Sequence, residues 1–336
     1  MQKKTSPKPL EGKIAVVAGA TRGAGRGIAC MLGEAGAIVY CTGRSTREKP
    51  CTTGFYAGRS ETIDETAEMV DARGGTGIAV RVDHLVEEEV KALVDRVRRE
   101  QGRLDVLVND ISEGDVHEWK PFWKLSLDRA FGMFRNGVHS HIITCRHAVP
   151  LLIERADSSP GLIVEIGDGD TLEYRATLFY DLIKISVSRL AYAMAEELYE
   201  HHVAAVAVTP GYMRTEAMLD HFGVTEANWR DGAKKDKNFI SSETPFFVGR
   251  AIAAIAADPH VLEKSGGLFS SGKLAREYGF TDIDGSQPDF GAHFDFDEYF
   301  RKSSKTGLRW RIERAEQASG PSGGQRAKTA RKKEQL

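Results

Sequence analysis

The chain has 336 residues, enough for one large or two modest domains. Its formal charge of −2 excludes a nucleic-acid-binding chain taken as a whole, and no apolar run approaches the roughly 18 residues a membrane span needs. The opening MQKKTSPKPLEGK is basic and polar with no apolar core behind it, so it reads as neither signal peptide nor anchor. Cys30, Cys41, Cys51 and Cys145 lack C-x-x-C spacing, which suggests free thiols in a cytoplasmic protein rather than a zinc knuckle or disulfide scaffold. His139 and His141 are two apart and fall on different faces of a helix, so no metal site is expected.

The apolar run Ile14 to Ala18 reads as a buried strand. Gly19, Gly23 and Gly25 follow, with Thr21 and Arg22 between them, and then a segment of helical spacing from Ile28 to Ala35. Strand, glycine turn and helix in this order form a dinucleotide-binding fingerprint. Glycine lets the backbone approach a pyrophosphate, and the helix N-terminus aims N–H groups at it. Ala37 to Thr42 is a second strand ending in Gly43, Arg44 and Ser45. In a doubly wound fold this strand end lies over the adenosine ribose. The forked cation of Arg44 suits a 2′-phosphate, and Arg22 adds a second positive charge.

The connection Thr46 to Ser60 lacks periodicity and is long for a βα loop; it is either a flap over the adenosine end or a mobile insertion. Glu61 to Ala72 is an amphipathic helix, Gly77 to Val82 a third strand closed by Asp83 and His84, and Glu87 to Glu100 a charged helix. Leu104 to Val108 is a fourth strand running into Asn109-Asp110-Ile111-Ser112. Met133 to Ile153 reads as one long helix containing Asn136. A fifth strand, Leu162 to Ile166, flows into Gly167-Asp168-Gly169-Asp170. Tyr180 and Lys184, four apart, share one face of a helix running to about Glu200. A neighbouring ammonium lowers a phenol's pKa and suits it to acid/base work. Val203 to Val208 is a sixth strand ended by Thr209-Pro210-Gly211. Met213 to Lys237 is polar and mixed, Phe246 to Ala257 a helix, and Gly267 to Ser271 a seventh strand. After Pro321 the chain has five Lys or Arg against one Glu, and the segment 303–336 is expected to be a disordered basic tail.

Strands alternate with helices throughout, which argues one parallel sheet covered on both faces. The expected fold is α/β: a single Rossmann-type doubly wound parallel sheet of about seven strands, spanning residues 10–290.

The spacing Gly19-x-x-x-Gly23-x-Gly25 resembles the fingerprint of the short-chain dehydrogenase/reductase family, with Ala18 where that family usually has Thr. Asn109, Asn136, Tyr180-x-x-x-Lys184 and Pro210-Gly211 with Thr215 match further family motifs, and Lys273 to Phe290 is similar to the C-terminal segment of one subgroup. The resemblance implies an NADP(H)-dependent oxidoreductase acting on a small carbonyl or alcohol substrate. It implies Tyr180 as acid/base and Lys184 as its partner and holder of the nicotinamide ribose. It places the Asn136 backbone carbonyl on a relay water, Asp83 against the adenine amino group, and the Pro-Gly segment beside the carboxamide. The implied cofactor-binding set is Gly19, Thr21, Arg22, Gly23, Gly25, Arg44, Ser45, Asp83, His84, Asn109, Tyr180, Lys184, Pro210, Gly211, Met213 and Thr215. A homodimer or homotetramer built on the helices Met133–Ile153 and Thr177–Glu200 is also implied; no nucleic-acid or membrane partner is expected.

Two departures stand out. Asp110 and Ser112 depart from the family's N-N-A-G. Where the family's serine should stand, Gly167 and Asp168 occupy the place, and Thr171 is the nearest hydroxyl downstream. A serine donates to a substrate oxygen, whereas an ionised aspartate only accepts. Asp168 therefore opens two alternatives: imine or amine chemistry, or a cofactor-binding sensor with little turnover.

Overall fold

The computed structural model describes residues 8–295 other than 53, 115–117, 119, 155–158, 171–173 and 176. Thr171 and the basic tail from 303 lie outside the described residues.

Seven strands form one parallel sheet in the order β3-β2-β1-β4-β5-β6-β7. They are β1 (Ile14–Ala18), β2 (Ile38–Gly43), β3 (Thr76–Arg81), β4 (Val106–Asn109), β5 (Gly161–Ile166), β6 (Val203–Thr209) and β7 (Leu268–Ser270). The helices between them are α1 (Gly23–Glu34), α2 (Ile63–Asp71), α3 (Glu87–Gln101), α4 (Leu127–Phe134), α5 (Ser140–Ile153), α6 (Leu178–Leu198), α7 (Glu216–Phe222), α8 (Pro245–Ala257), α9 (Ser271–Tyr278) and α10 (Phe290–His293). Successive strand residues point to opposite faces. Ala15, Val17, Val39 and Val108 join Ile28, Val70 and Ile255 of α1, α2 and α8 in one core. Ile14, Val16, Tyr40 and Leu107 join Val94, Leu151 and Leu198 of α3, α5 and α6 in the other. That two-sided burial is why β1, β4, β5 and β6 read as near-continuous apolar runs.

The register brings the strand ends level: Ala18 pairs with Thr42 on one side and with Asn109 on the other. Everything just past these residues opens onto one edge of the sheet. Helices α1 and α8 cross at their glycines. A Cβ on Gly27 would lie 2.0 Å from the Pro245 carbonyl oxygen, and one on Gly249 2.5 Å from that of Gly27.

Two expected elements are corrected. The helix expected over Met133 to Ile153 is α4 and α5 joined by a π-helical turn, Arg135–His139. There the Ser140 N–H bonds Arg135 O, five residues back, so the Asn136 carbonyl receives the Ser140 hydroxyl instead. The helix expected from Glu61 begins at Ile63, because Thr62 caps it by accepting from the Glu65 N–H at 3.2 Å. The mixed segment after Met213 holds α7, capped by Thr215 (3.2 Å to the Met218 N–H), and short 3₁₀ turns. Among the described residues no helix is long and apolar enough to cross a membrane.

Candidate active site

A cleft of about 690 Å³ runs along the carboxyl ends of the strands, the place where ligands bind in open parallel sheets. Of the residues singled out in the sequence, Gly19, Thr21, Arg22, Gly23, Arg44, Ser45, Asp83, His84, Asn136, Lys184, Pro210, Met213 and Thr215 line it. Gly25, Asn109, Asp168, Tyr180 and Gly211 are not among its lining residues. Gly25 packs beneath it, where a Cβ would lie 2.3 Å from Gly19 O and 2.9 Å from the Asp110 carboxylate. Asn109 is fully buried and donates to Glu165 at 2.7 Å. The Gly211 N–H donates to Glu243 at 2.9 Å.

The cofactor end is built from β1, the glycine turn and α1. Gly19 has φ 95°, in the left-handed region, and its absent side chain leaves room for the Asp110 carbonyl. Helix α1 has no side-chain cap of its own and no acidic residue in its first turn. Its Gly23 N–H instead holds the carboxylate of Glu216, across the cleft on α7, at 3.0 Å. The chain's own anion therefore sits where a helix N-terminus binds a phosphate, and a pyrophosphate fits the same N–H groups. At the far end Arg44 is exposed, 3.9 Å from Asp83. Arg22 lies 3.4 Å from Glu61 and stacks 4.6 Å over the Tyr56 ring. The ring of His84 is taken up by the protein itself: it is buried and bonded at 2.8 Å to both Thr42 and Thr144, and burial drops its pKa to about 3.

At the other end, α6 carries Tyr180 and Lys184 on one face. The Tyr180 hydroxyl donates to Asp168, just past β5. Lys184 Nζ is 5.4 Å from the centre of the Tyr180 ring and 3.2 Å from Glu113. Burial raises the Tyr180 pKa; Lys184 opposes this, and the carboxylates of Asp168 and Glu113 reinforce it, so the group stays a neutral phenol. Burial alone would lower Lys184, but Glu113, Tyr180 and Asp168 hold it above its ordinary value as an ammonium. Burial lifts the Asp110 carboxyl to about 7 against the pull of Lys184 and a bond from the Gly25 N–H.

Beneath this end lies a charged core that the sequence reading passed over. His141 and Glu165 are buried, with Nδ1 2.5 Å from Glu165 and Nε2 3.1 Å from Ile111 O. Burial disfavours the imidazolium, but Glu165 and the Ile111 carbonyl raise its pKa overall. With both ring nitrogens donating, His141 ties the segment after β4, which lines the cleft, to β5.

The family profile described as short chain dehydrogenase matches residues 13–222. The chain belongs to this family. Dehydrogenase/reductase SDR family member 1 of Homo sapiens is 34% identical to it over 283 residues, 82% of this chain and 85% of that protein. The Mus musculus protein of the same name is 35% identical over 284 residues, 82% of this chain and 85% of its own. The 7alpha-hydroxysteroid dehydrogenase of Clostridium sardiniense is 28% identical over 215 residues, 64% of this chain and 76% of that one. Among solved structures, a short chain dehydrogenase of Mycobacterium thermoresistibile superposes with a TM-score of 0.67 at 22% identity, covering 82% of this chain and 90% of that one. A Shigella flexneri chain of the family, complexed with NADP, gives 0.62 at 19% identity, covering 79% and 99%. As a short-chain dehydrogenase/reductase, the chain is an oxidoreductase of the class that uses nicotinamide cofactors. Within that family frame, Tyr56, Ser112 and Glu113 also line the cleft. Only Ser112 stands out in the sequence, as a departure from the family's motif; Tyr56 and Glu113 lie in aperiodic loops.

Proposed function

We propose that this short-chain dehydrogenase/reductase is an NADP(H)-dependent reductase of a small carbonyl or imine substrate, with Tyr180 as the proton donor. The observation that carries the reading is the Tyr180–Asp168 hydrogen bond beside the Lys184 ammonium. A bound nicotinamide supplies the hydride. Gly19, Gly23 and the N-terminus of α1 would hold its pyrophosphate, Lys184 its ribose, and Arg22 and Arg44 its 2′-phosphate. Tyr180 is kept protonated by burial and by Asp168, so it is set to give a proton rather than to take one. On substrate binding its O–H turns from Asp168 to the oxygen or nitrogen that gains charge, and the ammonium of Lys184 stabilises the phenolate left behind. Asn136 and Ser140 line the cleft, and the Asn136 carbonyl, which accepts from the Ser140 hydroxyl, would hold a relay water.

A specific observation favours a cationic substrate nitrogen. The carboxylates of Glu113 and Asp168 both act on the Lys184 ammonium, and Asp168 also holds the Tyr180 hydroxyl. An ionised Asp168 pairs with an iminium without a proton of its own, whereas donating to a ketone needs a costly neutral carboxylic acid. The test compares wild type, Asp168→Ser and Asp168→Asn on matched ketone and imine substrates with NADPH. Both variants are expected to lose imine turnover far more than ketone turnover. Equal improvement of both by Asp168→Ser would remove the iminium reading. No turnover of any substrate with either nucleotide would leave a sensor, and equal or tighter binding of NADH would remove the NADP(H) preference.

The assembly we propose is a homo-oligomer. Ile142 of α5 and Leu182 and Tyr192 of α6 are exposed apolar residues on the helices that the family resemblance assigns to the subunit interface.

A further inference from the structure

The connection between β2 and α2 crosses the cleft instead of following the sheet edge. Tyr56 is its central residue. On one side its ring lies 4.6 Å beneath the guanidinium of Arg22, in the glycine turn. On the other, its hydroxyl is near the side chain of Ser112, past the end of β4, and both residues line the cleft. Gly54 comes down on the same far bank, where a Cβ would meet Gly114 O at 3.6 Å. Further along, Arg59 binds Glu61 at 2.5 Å and reaches Asp220 of α7 at 2.9 Å. Burial pushes the Glu61 carboxyl up, but its bonds from Arg59 and its own backbone, with the charge of Arg22, bring it below its ordinary value, so it stays ionised between the two arginines.

The segment 54–61 is thus pinned to the glycine turn, to the loop after β4 and to α7. Those three elements surround the N-terminus of α1, where the Gly23 N–H holds the Glu216 carboxylate. A dinucleotide whose pyrophosphate takes that position runs beneath Tyr56. The tie from Arg59 to Asp220 is solvent-exposed on its aspartate side and therefore weak. The contacts of Tyr56 are inside the cleft and are the specific ones.

We propose that the segment 54–61 is a strap over the bound dinucleotide and that Tyr56 is a cofactor-binding residue, so that cofactor leaves only when the strap lifts. This rests on the NADP(H) reading above. It places the effect on dissociation, where most changes of affinity between related complexes lie.

The experiment follows NADPH fluorescence in stopped flow with the full chain, measuring binding and release for wild type, Tyr56→Phe, Tyr56→Ala and Asp220→Ala. Tyr56→Ala is expected to release NADPH about tenfold faster, with Kd rising in proportion and association little changed. Tyr56→Phe keeps the stack on Arg22 and loses the hydroxyl, so it falls between; Asp220→Ala has the smallest effect. Trypsin supplies a readout on the unmutated protein, since Arg47 and Arg59 stand in or beside the strap. Saturating NADPH is expected to slow cleavage there about fivefold. Unchanged release from Tyr56→Ala, or cleavage indifferent to NADPH, overturns the strap. A wild type that binds neither NADPH nor NADH overturns the cofactor reading itself, and the strap with it.

Discussion

Replacing Asp110 by Asn tests the electrostatics of the cleft without touching its shape. Asn fills the same volume, and its carbonyl oxygen still accepts from the Gly25 N–H. In the folded protein burial raises the Asp110 carboxyl from 3.8 to about 7. The folded state therefore keeps this proton to a higher pH than the unfolded chain does. The stability this group contributes is fully present below about pH 4, is lost as pH rises through the window from about 4 to 7, and is gone above it. A shift of about three units corresponds to about 4 kcal/mol across the whole window. Between pH 5 and pH 8 about two of those units remain, or about 3 kcal/mol. For a domain of this size that is on the order of 5–10 °C in Tm. The variant lacks the titration, so its Tm minus that of wild type is expected to grow by this amount from pH 5 to pH 8. The measurement is thermal unfolding by circular dichroism of both cofactor-free proteins at the two pH values. Titrating groups that do not interact with Asp110 cancel in the difference. A difference that is the same at both pH values would refute the assignment of a raised carboxyl at this position.

The charged core beneath the site makes a second prediction. Glu165→Val alone strands the His141 imidazolium and is expected to cost about 3–5 kcal/mol in urea unfolding, whereas His141→Phe with Glu165→Val recovers most of that loss; a single variant no worse than the double would refute the ion pair. For the assembly, light scattering at micromolar concentration is expected to give a dimer or tetramer mass, and Ile142→Asp a smaller species with its secondary structure intact. A monomeric wild type would rule the interface out.

The sheet could be read from the chain because strands buried on both faces have no polar side to interrupt them. The glycine turn could be read because Gly19 alone satisfies a left-handed backbone under the Asp110 carbonyl. Other features leave no local trace. The π-helical turn at Arg135–His139 changes a hydrogen-bond partner by one residue and leaves the apolar spacing intact. Glu165 hides inside Leu162-Ile163-Val164-Glu165-Ile166, a run that still looks like a strand; its partner His141 is on another element. Asn109 fits the family motif, yet its side chain turns down to Glu165 rather than toward the cleft. Tyr56 stands in a stretch without periodicity, and only the fold brings it between Arg22 and Ser112.

The crossing of α1 and α8 at Gly27 and Gly249 limits how such a protein can diverge. Neither position accepts even a methyl group while the helices stay where they are. Larger residues on α8 displace the helix whose N-terminus faces the cleft. Thr244, which caps α8, is fastened in turn to the buried Asp282 beyond α9, 2.8 Å from its N–H. The first and last thirds of the domain are therefore fitted to one another. A chimera that takes β1 and α1 from a relative whose helices cross at a wider spacing, and keeps this α8, would inherit a misplaced nucleotide-binding turn even though every residue of that turn is correct.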